Sequence, residues 1–206
     1  MAKGDQTQVE KPMIDPPSTP RARLVADTAI TVLAEQGSRG LTHRAIDRAA
    51  GLPEGSTSNL FRTRDALLAA TLRRQVERET EMYATMPTPE SIADIDSAAR
   101  WMAALIHAFT SADNSELVSA RYELFLEGQR RPTFRKLLDE VRDNFILMVD
   151  ELLGRLGLER GKRNSMAVLV TLDGLSANQV FHRTSILSEA EIKSQLAHLL
   201  ASFKPA

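Results

Sequence analysis

Helix start and stop signals recur along this chain so often that its pattern allows one fold class, all-α. Thr19-Pro20 pairs a capping hydroxyl with a proline at the first helical position. Ala26, Ala29, Ile30 and Leu33 then make one apolar stripe, and Gly37 ends the segment. Thr42 caps a short second helix, with Leu41 and Ile46 at hydrophobic-staple spacing around the cap. Gly51 stops that helix, and Thr63 caps a longer one over 64–83. Beyond the break at Pro87 and Pro89, residues 90–110 are apolar nearly all round, which suits the middle of a bundle. Further helices are predicted at 114–129, 132–154, 163–184 and 189–203. Pro132 opens one of them, and Ser188 with Glu191 has capping-box spacing at the last. No alternating run long enough for a strand interrupts them, so the pattern predicts about nine helices.

A chain of 206 residues, 43% of them apolar, can bury a real core. It has no cysteine, which excludes a disulfide framework and a thiolate metal site and agrees with a cytoplasmic location. Residues 1–17 are polar, carry prolines and lack the apolar centre of a secretion signal, so a disordered arm is expected there. No apolar run approaches the ~18 residues that a membrane span needs. His43, His107, His182 and His198 make no metal-ligand spacing, and no nucleophile motif is visible. The loop GLERGK is one residue short of a phosphate-binding loop and follows no strand. No metal, cofactor or enzymatic activity is therefore expected. His107, on the apolar helix, reads as a core histidine.

One stretch departs from the helical rule. "GLPEGSTSNLF", residues 51–61, is built from poor helix formers. Short hydroxyl and amide side chains compete with the backbone for hydrogen bonds and favour caps and turns. A supporting helix over 43–50, the turn Gly51-Leu52-Pro53 and a second helix over 54–61 make a helix-turn-helix. Leu52 and Phe61 are its apolar anchors; the small polar residues between them could approach base edges closely. Charge agrees. From Pro20 to Arg74 there are nine arginines against five acidic residues, a local +4 in a chain of net charge −1. Arginine is the better phosphate fork.

The register over 20–70, including "AITVLAEQGSRGLTHRAIDRAAGLPEGSTSNLFRTRDALL", resembles the TetR family of transcriptional repressors. The glycine before Thr42, Ala50-Gly51-Leu52, Gly55-Ser56, Phe61 and Thr63-Arg64 fall where that family places them. The resemblance implies an all-α homodimer, with an N-terminal three-helix operator reader and a C-terminal bundle that binds a small-molecule inducer. Carried over by position, Thr42 and Arg44 contact phosphate, with His43 near the groove. Glu54, Gly55, Ser56, Thr57, Ser58, Asn59 and Leu60 fall on the recognition helix. Arg64 is expected on the DNA backbone, with Arg62 nearby. The family usually has Leu-Tyr where this chain has Thr57-Ser58, and a serine-type cap where it has Pro53.

The expected organisation is an operator reader over 18–66, a linking helix over 64–83 and a ligand-binding and dimerisation domain over 67–206. The broadly apolar helix over 163–184 and the last helix, with Ile192, Leu196, Leu199, Leu200 and Phe203 as its seam residues, are expected to form a four-helix bundle between subunits, since a palindromic operator calls for two-fold symmetry. Arg121 and Asp173 interrupt apolar arcs, and buried charges are costly unless paired. They read either as a buried pair or as polar anchors of a pocket. Trp101 and Phe125 join them as candidate wall residues, although each taken by itself reads as core rather than pocket. The function expected is a repressor of double-stranded operator DNA, released by a small, mostly apolar ligand. The alternatives are a helical protein-interaction module and an unrecognised enzyme.

Overall fold

The computed structural model describes residues 18–86, 92–182 and 184–205, and among these it holds nine α-helices and no strand. The predicted arm over 1–17 and the Pro87/Pro89 break lie outside the described residues. Helix α1 (Pro20–Gly40) starts where Thr19 accepts the Ala22 N–H, and Gly37, at φ +65°, breaks it before a last turn. Thr42 caps α2 (His43–Ala49) by accepting from Ala45, and Thr63 caps α4 (Arg64–Ala84) by accepting from Ala66. Between them α3 (Ser56–Leu60) is only five residues long, shorter than the 54–61 expected.

The other five helices are α5 (Ile95–Thr110), α6 (Ser115–Arg130), α7 (Pro132–Arg155), α8 (Lys162–Phe181) and α9 (Glu189–Ala201). Helix α8 stops short of the predicted 184, because His182 leaves the helical region. Both hydrogen bonds of the Ser188–Glu191 capping box form. No helix among the described residues is long and apolar enough to cross a membrane.

Two apolar clusters carry the packing. The first runs from Val25, Ile30 and Leu33 of α1 through Ile46 of α2 and Leu68 of α4 to Leu117 and Leu124 of α6 and Phe134 of α7. It is continuous across residue 66, because α1 lies along both α4 and α6. The second joins α5, α7, α8 and α9.

In that second cluster Ile192, Leu196, Leu200 and Phe203 are buried, and α9 lies along α5, whose Ala98, Ala99 and Ala103 permit close approach. Leu199 packs against the same cluster, half-buried. The stripe expected at a dimer seam is therefore consumed inside one chain. The physical reason is α5, which needs a neighbour on each side. His107 is exposed, contrary to the core reading. Outward-facing apolar side chains include Val170, 55% exposed, and Phe181, 48% exposed, on α8, and Leu147 and Met148 on α7.

Candidate nucleic-acid interface and apolar cavity

Asp47, buried in α2, organises the helix-turn-helix. Its carboxylate accepts the Gly55 N–H at 2.8 Å, the Thr57 N–H at 2.8 Å and the Thr57 hydroxyl at 2.6 Å. Helix α3 has no side-chain cap of its own, since Gly55 stands at its N-cap position. Asp47 supplies the cap from the neighbouring helix, and its negative charge suits a helix N-terminus. Burial pushes the Asp47 carboxyl up, but the hydrogen bonds from Thr57 and Gly55 outweigh it and hold the group below its ordinary value. Gly51 and Gly55, at φ +65° and +89°, take the left-handed turns that route the chain past this carboxylate.

The tie divides the residues expected to touch DNA. Thr57 is 0% exposed, with both its N–H and its hydroxyl on Asp47. Ser56 is buried; its hydroxyl donates to the Pro53 carbonyl at 2.6 Å and accepts from Arg21 at 2.8 Å. Both are corrections: their polar atoms are spent inside the domain and do not face a groove. Thr42, Arg44, Glu54, Asn59, Leu60 and Arg62 are exposed, and Gly55 and Ser58 are half-buried beside them. His43 donates Nε2–H to the Phe61 carbonyl at 2.7 Å and so pins the end of α3. Arg44 pairs with Glu54 at 2.8 Å on the open surface, where such a pair is weak. Arg48, also exposed, joins this surface without having been singled out.

Arg64 requires a further correction. Its guanidinium donates to the Leu41 carbonyl at 2.5 Å, the Ser38 carbonyl at 2.7 Å and the Ser38 hydroxyl at 2.9 Å. It also reaches Glu127 of α6 at 3.3 Å. Glu127, buried, accepts in addition from the Ser38 hydroxyl and from Arg131, which pairs with Asp65 at 2.5 Å. Burial pushes Glu127 up, yet Ser38, Arg64 and Arg131 outweigh it and hold its carboxyl below the ordinary value. Arg64 therefore fastens α4 to the end of α1 and to α6.

A cavity of about 370 Å³ opens between α4, α5, α6, α7 and α8. Leu72, Val76, Phe109, Phe125, Leu138, Val141, Phe145, Leu169 and Leu172 give it an apolar wall, a size and character suited to a small ligand. Arg121 and Asp173 both line it, and they also pair at 3.4 Å, so pairing and a place on the cavity wall coexist. The closer partner of Arg121 is Glu79, at 2.6 Å, which the sequence pattern does not single out. Burial works against the Arg121 charge, but Glu79, Tyr83 and Asp173 outweigh it and raise its pKa, so it stays a cation. Its guanidinium also lies over the Phe109 ring at 5.4 Å. Phe125 lines the cavity as expected; Trp101 does not, and stacks at 6.3 Å on Tyr83, which does. No cluster of metal-ligating side chains occurs among the described residues.

Comparison with known proteins agrees with this geometry. The family model for the tetracyclin repressor-like C-terminal domain matches residues 93–202. The HTH-type transcriptional regulator BetI of Rhizobium meliloti is 26% identical over 181 residues, 84% of each chain. A solved TetR-family member from Streptomyces coelicolor A3 superposes with a TM-score of 0.70 at 27% identity, covering 91% of this chain and 100% of that one. The multidrug binding protein EbrR, solved with ethidium, gives a TM-score of 0.67 at 27% identity, covering 88% and 99%.

Proposed function

The chain belongs to the TetR family of transcriptional regulators, and from that premise we propose a dimeric repressor released from palindromic operator DNA by a small ligand in the α4–α8 cavity. The observation that carries the DNA half is the Asp47 tie. It holds a five-residue helix from behind and leaves Ser58, Asn59 and Leu60 on its outer side. Asn59 suits base edges, and Arg44, Arg48, Arg62 and Thr42 suit the flanking phosphates. Residues 18–66 act as the reader and 67–206 as the effector and assembly unit, with α4 linking them.

The ligand half is supported by the apolar cavity and by a relative, EbrR, whose structure was solved in complex with ethidium. Assembly is assigned to the outer faces of α8 and α9. Val170 and Phe181 are exposed on α8; Ala190, Ser194 and Ala201, with His198 among them, form the outer face of α9. A gel shift of the full chain against its own upstream DNA tests the reading. Retardation that a cavity-binding molecule reverses supports it, and a chain that retards no DNA overturns it.

A further inference from the structure

We infer that the effector cavity is built for a neutral, mostly apolar molecule carrying an N–H or O–H donor. The inference rests on the proposed function and names the chemical class of its ligand.

Six charged side chains line the cavity, three carboxylates and three guanidiniums, and each is paired within the set. Glu79 holds Arg121 at 2.6 Å, and Asp173 holds Arg121 and Arg142 at 3.4 Å each. Arg135 and Asp139 pair at 3.2 Å nearer the surface. A bound cation would need a carboxylate whose charge is uncompensated, and a bound anion a guanidinium in the same state. The wall offers neither. Inserting an ion against Glu79 or Arg121 would break the buried pair and leave one partner uncompensated, which is strongly unfavourable. A neutral ligand leaves every pair in place.

The donor requirement comes from Gln75. It lines the cavity and is 1% exposed, and its Oε1 has no hydrogen-bond partner. Its amide orientation is fixed, because Nε2 donates to Glu79 Oε1 at 3.1 Å and to the Leu117 carbonyl at 3.0 Å. A flipped amide would set its oxygen against two other oxygens. Gln75 Oε1 is thus a committed acceptor beside an apolar cavity, and buried acceptors are normally satisfied. Oε1 has no open surface in this arrangement, so a small shift of Gln75 or of a neighbouring wall side chain brings it to a ligand hydroxyl or amide N–H, which supplies the missing donor.

Four two-ring probes of similar shape test this by calorimetry on the full-length chain: 2-naphthol, 2-methylnaphthalene, 2-naphthoate and N-methylquinolinium. The expected result is 2-naphthol binding about tenfold or more tighter than each of the others, the equivalent of one net hydrogen bond. In Gln75→Leu the advantage of 2-naphthol over 2-methylnaphthalene should shrink to about one, with 2-methylnaphthalene itself still bound. Gln75→Met, closer in shape, gives the same comparison if the leucine variant does not fold. Either ion binding as tightly as 2-naphthol overturns the inference. So does an advantage that survives in a folded Gln75 variant, or a cavity that takes none of the four. The two readings fail separately. A chain that retards its operator but prefers N-methylquinolinium keeps the proposed function and loses the ligand class. One that binds 2-naphthol as stated and never retards DNA does the reverse.

Discussion

Asp47 is too buried to meet DNA, yet its loss should abolish operator binding. Asp47→Ala removes three hydrogen bonds and uncaps α3. The expected destabilisation is about 3 kcal/mol, read by urea melts, with the gel shift lost at protein concentrations where the fold persists. The tie also has a pH signature. Its carboxyl is held below the ordinary value, so its contribution is complete at neutral pH and fades as pH falls below about 4, through the folded-state value. Asp47→Asn should flatten the acid limb of a stability–pH profile, and an unchanged limb would remove Asp47 from that account. Arginines supply the second contrast. Arg44 is exposed and Arg64 is bound to Ser38, Leu41 and Glu127. Arg44→Ala should lower the slope of log affinity against log salt by about one unit, while Arg64→Ala should cost stability and leave the slope intact. In the sequence these two arginines look alike, each close behind a threonine cap. What separates them is Glu127, distant in the chain, which no local pattern could place. Ser56 and Thr57 hid for the same reason. Small hydroxyl residues serve a groove or a neighbouring carboxylate equally well, and only the position of Asp47 decides between them.

Helices were legible wherever caps and apolar spacing agreed. Thr19, Thr42, Thr63 and Ser188 all accept the backbone N–H that their positions implied. The direction in which an apolar face points was less legible. The stripe of α9 has the same spacing whether it meets α5 or a partner subunit, and only the packing of α5 shows that it is buried within one chain. That distinction is testable with two charges. Leu196→Glu should unfold the C-terminal bundle, because Leu196 is 0% exposed. It loses about 1.5–3 kcal/mol of apolar burial and adds a buried carboxylate. Val170→Glu, on the outer face of α8, should keep full helicity by circular dichroism and turn the dimer into a monomer by sedimentation. If Val170→Glu still sediments as the wild type does, the seam lies on another face.

At the scale of the whole molecule, α6 joins the two functions. It sets Arg121 and Phe125 into the cavity wall, and through Glu127 it grips Ser38 and Arg64 at the base of the DNA reader. A ligand that shifts α6 therefore moves the reader's footing, and half-sites about one helical turn apart tolerate little change in spacing. The coupling is reciprocal, with operator DNA weakening ligand binding by the same factor, typically about 5–150-fold. Glu127→Gln should keep operator binding and ligand binding while bringing that factor toward one, as measured by titrating ligand with and without operator. An undiminished factor would move the coupling elsewhere. The same architecture has a consequence for descent. Because Asp47 secures α3 from its inner side, the exposed Asn59 and Leu60 are not needed to hold that helix in place and can vary. On the proposed reading, exchanging them would give a lineage a new operator while the scaffold and its effector response pass unchanged to the next gene.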